Sequence, residues 1–160
     1  MRSQRIKGKD GVLVKGKAVV EKFRVGEDTP YEVVESENNW FTAGWNEILS
    51  LITGASSDHY DATNTQIGVG NGTTAFSDAQ TDLVGASTAY KGMESGYPTT
   101  PSSGTVQFKA KFNTSDANFA WEEWCVKNSS SGVVWNRAVS SLGTKSSSEI
   151  WYITVTMGKA

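Results

Sequence analysis

A single cysteine, Cys125, stands among 160 residues. One thiol cannot close an intramolecular disulfide or build a cysteine-based metal site. It follows Trp124 in an apolar run with no nucleophile motif around it, so it reads as a buried, inert thiol. No run of about 18 apolar residues occurs, so nothing is expected to span a membrane. The N-terminus is charged and has no apolar segment of the signal-peptide kind, so folding in a reducing cytoplasm is expected. Proline is scarce, and His59 is the only histidine. No nucleophile–base pair is recognisable; no enzyme and no cofactor are expected.

What is abundant points to strands and turns. The chain holds 6 Trp, 5 Tyr, 6 Phe and 16 Gly, with many Ser, Thr and Asn after residue 53. Period-two patterns predict strands in "VLVKGKAVVEKFRV", "YEVVES", "TQIGVG", "TVQFKAKF", "NFAWEEWCV", "GVVWNRAV" and "EIWYITVTM". The links "NTSDA", "KNSSSG" and "SSLGTKSSS" suit antiparallel connections, and "MESGYPTTPSSG" reads as an exposed loop. One helix is predicted near residues 42–53. Phe41, Trp45, Ile48, Leu49 and Ile52 form an amphipathic stripe expected to pack on the core, with Thr42 capping the start and Gly54 stopping the end. These elements predict a mainly β chain. The expected fold is an antiparallel β-sandwich, jelly-roll-like, with one amphipathic helix packed against it. Two regions are expected: a basic N-terminal arm with strands at 1–37, and a sandwich domain at 38–160.

The stretch "TQIGVGNGTTAFSDAQTDL", residues 65–83, has the look of a phosphate-binding turn. A P-loop needs a Lys directly after its glycines, but here Thr73 follows Gly72 and the next Lys is Lys91. A dinucleotide fingerprint needs a different glycine spacing and a long helix. The better reading is a strand. Ile67 and Val69 share one face, while Gly68 and Gly70 open the other to close approach by another segment. Asn71-Gly72 then supplies a turn, and "SDAQTDL" a loop or short helical turn started by Ser77, with Leu83 packing inward.

Three other groups of residues carry charge or chemistry. His59 lies beside Asp58 and Asp61, but a metal site there would need further ligands, for which Asp78 and Asp82 are the candidates. The solvated-loop reading is preferred and no metal is assigned. Glu122 and Glu123 face opposite sides of a strand, so they cannot form a glycosidase carboxylate pair. A carboxylate among Phe119, Trp121 and Trp124 needs a partner, and Glu123 with Arg137 on the next strand is the expected structural ion pair. Finally, the net charge of −2 hides a split. Residues 1–24 hold Arg2, Arg5, Lys7, Lys9, Lys15, Lys17, Lys22 and Arg24 against Asp10 and Glu21, which is +6. The remainder has seven basic and fifteen acidic residues, which is −8. Nucleic acid is disfavoured as a partner, because Phe23 is the lone aromatic available for stacking. Another copy of the chain fits better.

The helix "WFTAGWNEILSLITG", the turn "IGVGNGTTAFSDAQTDL", the strand region "GTVQFKAKFNTSDANFAWEEWCVKNSSSG", the segment "VVWNRAV" and the ending "KSSSEIWYITVTM" occur in this order over residues 38–157. In that layout the chain resembles small structural virion proteins of tailed bacteriophages, of the decoration or tail-accessory type. Residues 1–37 depart from the pattern. The resemblance implies a non-enzymatic virion protein, made in the host cytoplasm, whose partners are its own copies and other virion proteins. Capsid decoration or a head-accessory role is expected, with assembly through the basic arm. Removing residues 1–24 is expected to weaken assembly and leave the fold intact. The alternative is a tail-associated or fibre protein binding host-surface glycans through Tyr60, Tyr90 and Tyr97.

Overall fold

The computed structural model describes residues 14–101 and 104–159. It is a sandwich of two antiparallel sheets. One sheet has the order β2-β1-β9-β6, formed by β1 (Val14–Arg24), β2 (Glu32–Glu37), β6 (Thr105–Phe112) and β9 (Glu149–Lys159). The other has the order β3-β8-β7-β4-β5. It comprises β3 (Asn39–Trp40), β4 (Thr65–Gly70), β5 (Thr88–Gly92), β7 (Ala120–Asn128) and β8 (Val134–Thr144). The expected antiparallel sandwich with one helix is what forms. The pairs β1–β2, β4–β5 and β7–β8 join neighbours within one sheet. The connections β2–β3, β5–β6, β6–β7 and β8–β9 cross from one sheet to the other, as successive strands of a jelly roll do.

Alternation explains which face each strand buries. Ala18 and Val20 of β1, Phe108, Ala110 and Phe112 of β6, and Trp151, Ile153, Val155 and Met157 of β9 point inward. They meet Ile67, Val69, Trp121, Trp124 and Val126 from the facing sheet. Phe112, Trp121 and Trp151 stack edge to face, with centroids 4.8 Å apart for each successive pair. Such pairs add roughly 0.5–1.5 kcal/mol each to the burial of their area.

The N-terminal strands are part of this body. β1 pairs with β9 along its full length, from Val14↔Lys159 to Arg24↔Glu149, and with β2 on its other side. A boundary at residue 37 is therefore corrected: residues 14–37 supply half of one sheet. The arm can extend at most over residues 1–13, which lie outside the described residues. Removing residues 1–24 would take away a central strand and two buried core side chains, so that deletion cannot leave the fold intact.

The helix α1 (Thr42–Thr53) forms where the period-3.6 stripe predicts it. Gly54 adopts φ +72° and ends it, and the Gly54 and Ala55 N–H groups bond to the Leu51 and Ser50 carbonyls. Two expectations fail. Phe41, not Thr42, is the N-cap residue, and it offers no side-chain cap; the capping oxygen comes from distant Asp78. The stripe is also only half used. Phe41 is buried and Trp45 stacks with Trp40 and Trp135, but Leu49 and Ile52 are 56% and 75% exposed. The reason is Gly44, whose missing side chain lets the helix press onto the backbone of Trp135; a Cβ there would lie 2.5 Å from Trp135 Cα. Contact is thus made by Phe41, Gly44, Trp45 and Ile48, while Leu49 and Ile52 are left facing solvent.

β8 is longer than expected. The run "SSLGT" reads as a link, yet it continues the strand: Trp121↔Gly143 and Ala120↔Thr144 pair beyond a bulge, and Leu142 is buried. Gly143 takes φ +102°, which permits this ending.

Candidate functional site

The glycine stretch and the ion pair belong to one arrangement. Residues 71–87 link β4 to β5 and fold over the outer face of the five-stranded sheet. Glu123 and Arg137 lie beneath them, both fully buried, with Arg137 Nε 2.6 Å from Glu123 Oε2. The expected pair is present. Its surroundings go beyond what the sequence predicts. Glu123 Oε1 accepts the backbone N–H groups of Gly72 (3.2 Å), Val84 (3.1 Å) and Gly85 (2.8 Å). Arg137 donates its remaining guanidinium groups to the Thr74 carbonyl and to Gln80 Oε1, each at 3.0 Å. A buried carboxylate and guanidinium are tolerable when their hydrogen-bonding capacity is met in this way.

The glycines make the room. A Cβ on Gly70 would collide with Glu123 Oε1, and one on Gly72 would lie 2.6 Å from the same atom. A Cβ on Gly68 would lie 2.6 Å from the Tyr90 ring and 2.8 Å from Cys125 Sγ. Close approach across the glycine face is what the sequence predicts. The Asn71-Gly72 turn is corrected: Asn71 N–H bonds to the Ser87 carbonyl and its Oδ1 accepts the Ser87 N–H, so the residue ties the two ends of the long connection together. Ser77 does start a tight turn, with the Gln80 N–H on its carbonyl at 3.0 Å, and Leu83 packs with Phe41, Cys125 and Val134 in a second small core. Burial pushes the Cys125 thiol well up, in keeping with an inert role.

The connection is tied at two further carboxylates. Asp82 accepts the Tyr90 hydroxyl at 2.6 Å and pairs with Lys127. Asp78 accepts Thr42 N–H at 2.7 Å and the Thr42 hydroxyl at 2.6 Å, and these bonds hold its carboxyl below the ordinary range. The aspartates offered as extra metal ligands are therefore occupied elsewhere. Around His59, Asp61 accepts the N–H groups of Thr63 and Asn64, and Asn128 Nδ2 donates to the Asp58 and His59 carbonyls. Among the described residues no three His, Cys, Asp or Glu side chains group in a way that could hold a metal ion.

The three tyrosines are not a shared platform. Tyr60 is largely buried, with its ring 5.3 Å from that of Trp135. Burial, then the nearby Glu47, raises its hydroxyl pKa. Tyr90 has Lys127 over its ring at 4.9 Å and its hydroxyl on Asp82, so its ring face is already engaged. Tyr97 lies half-buried in another loop, its N–H on the Glu94 carbonyl. The glycan-contact role is thus corrected for Tyr60 and Tyr90, whose rings work inside the fold.

The basic residues divide into three groups. Lys22 is buried, with Nζ 2.7 Å from Glu32 and 4.5 Å from the centroid of the Trp151 ring, so it leaves the assembly set. Lys17 pairs with Glu35 at 2.6 Å and Arg24 with Glu27 at 3.8 Å, while Lys15 is exposed on β1. Arg2, Arg5, Lys7 and Lys9 lie outside the described residues. Sequence reasoning missed the surface that faces this charge. β2 is an edge strand carrying Glu32, Glu35 and Glu37; Val33 within it is 51% exposed and Tyr31, just before it, 37%. The three glutamates in the six residues "EVVESE" were a readable signal for it. Comparison with protein families, curated proteins and solved structures returns no significant match for this chain.

Proposed function

We propose that this chain is a non-enzymatic structural protein of a tailed-phage virion, a capsid decoration or head-accessory protein that associates with its own copies. The observation that carries the self-association is the separation of charge. The sheet neutralises Lys17, Lys22 and Arg24 internally with Glu35, Glu32 and Glu27. Arg2, Arg5, Lys7 and Lys9 precede the first strand, and the rest of the chain is acidic. A basic N-terminus and an acidic body attract each other between molecules. The non-enzymatic reading is supported by the buried acid–base groups. Glu123 and Arg137 have no exposed surface and bond to each other and to the β4–β5 connection. The small size and lack of repeats favour the head over a fibre shaft, and the resemblance over residues 38–157 favours a virion.

Light scattering on the full chain tests this. A mass that is a defined multiple of 17.3 kDa is the expected result. A chain that stays at 17.3 kDa at every concentration, together with binding on a glycan array, would replace the reading with the tail-fibre one.

A further inference from the structure

β2 is the exposed edge of its sheet, and the opposite edge is covered. On β6, Gln107 exchanges backbone bonds with Thr99 at 2.7 and 2.9 Å, and the Lys109 carbonyl accepts Glu94 N–H at 2.8 Å. β2 pairs with β1 on one side only, and among the described residues no further strand lies on its other side. Such an edge presents a row of backbone donors and acceptors. Charge normally protects it, and here the strand's own charges are Glu32, Glu35 and Glu37. Glu32 and Glu35 already pair with Lys22 and Lys17 of β1, through carboxylates that stay half exposed and can share a further cation, and Glu37 has no ion partner among the described residues.

The chain's own N-terminal segment has the opposite sign. Residues 1–13 hold Arg2, Arg5, Lys7 and Lys9 against Asp10, a net +3. We propose that β2 is the acceptor for residues 1–13 of a second copy, which add to it as a further strand. This rests on the self-association proposed above and names its acceptor. In an extended strand residues two apart share a face. Arg5, Lys7 and Lys9 then form one row, and Val33, Glu35 and Glu37 form the matching row on β2. Opposite charges across neighbouring strands stabilise by roughly 0.2–1 kcal/mol a pair, while backbone bonds add affinity.

Reach and position favour a neighbour as donor. Thirteen extended residues span about 43 Å, and a six-residue strand needs only about 20 Å. The chain enters β1 at Val14, past the end of β2, where the last pair is Lys17↔Glu37 and Val14, Lys15 and Gly16 pair with β9 alone. To cover its own β2 the segment would have to reverse direction at once, which Gly8 and Gly11 would permit; a neighbour's β2 needs no reversal. The own-chain arrangement is the competing outcome.

Engineered cysteines separate the outcomes, because the native Cys125 is fully buried with its thiol pKa raised. Full chains carrying Lys7→Cys or Glu35→Cys, one of them isotopically labelled, are mixed under mild oxidation and digested for mass spectrometry, and a variant carrying both substitutions is oxidised in the same way as a mixture of labelled and unlabelled chain. The expected product is a disulfide between positions 7 and 35 that joins labelled to unlabelled chain. In parallel, Glu35→Lys with Glu37→Lys should weaken self-association of the full chain by about tenfold or more, since like charges across an interface are costly. A bond between these positions found only within a single chain, in the variant carrying both substitutions, would overturn the proposal. So would an oligomer that forms no such bond and ignores the charge reversal, although self-association itself would then stand. A full chain that remains monomeric throughout would remove the functional reading as well.

Discussion

Glu123 is the residue on which most of the outer face depends. One carboxylate takes a guanidinium at 2.6 Å and three backbone N–H groups from residues 72, 84 and 85. Losing its charge strands Arg137 in a fully buried site, which costs about 3–5 kcal/mol. Glu123→Gln should therefore lower the denaturant midpoint sharply, and amide exchange at Gly72, Val84 and Gly85 should quicken more than the global loss requires. Exchange that rises only in step with global stability would show that the connection does not depend on this carboxylate. Gly70→Ala should cost about 1–3 kcal/mol, because the new methyl meets the carboxylate in a filled interior. An unchanged melting temperature would mean that the site has slack. The pairing of Glu123 with Arg137 was readable, since adjacent strands bring such residues together. The three amides were not, because they lie 38 to 51 residues away and no local pattern encodes that contact.

Elements show the same division between local and distant causes. The stripe from Phe41 to Ile52 specified a helix and Gly54 its end. It did not specify how much of the stripe would be covered, because that depends on Gly44 meeting the backbone of Trp135. Likewise Thr42 sits at the helix start, but its capping oxygen arrives from Asp78, 36 residues on. This bond has a pH signature. The folded-state pKa of Asp78 is lowered by its bonds to Thr42, so the contribution is present above the unfolded carboxylate value, about 3.9. It is lost as pH falls through the lower folded value. Glu149 behaves in the same direction: burial raises its pKa, but bonds from Tyr31 and Ser146 outweigh this and leave it lowered. Stability should thus fall below about pH 4, and Asp78→Asn should flatten part of that fall. An acid limb identical in the variant would refute the role of this cap. β1 gives the largest element-scale prediction. Its alternation was readable, yet its run of Lys made it look like an exposed arm; Lys22 instead turns inward beneath Glu32. A chain lacking residues 1–24 should show no cooperative unfolding by circular dichroism. A normal transition would mean that the sheet closes without its second strand.

At the scale of the whole molecule, a sandwich with a covered β6 edge and an acidic β2 edge carries a basic segment ahead of its first strand. Composition alone displayed the charge split. Where the acidic partner surface lies became visible only with the sheet order, since β2 could equally have been an inner strand. The proposed role requires copies to associate through these opposite charges. Attraction between exposed charges weakens as salt shortens its range, to about 10 Å at 0.1 M and 3 Å at 1 M. Sedimentation of the full chain at low and at high salt measures this directly. An oligomer at low salt that shifts towards monomer as salt rises is the expected result. A monomer under both conditions, or an oligomer indifferent to salt, would contradict association of this kind.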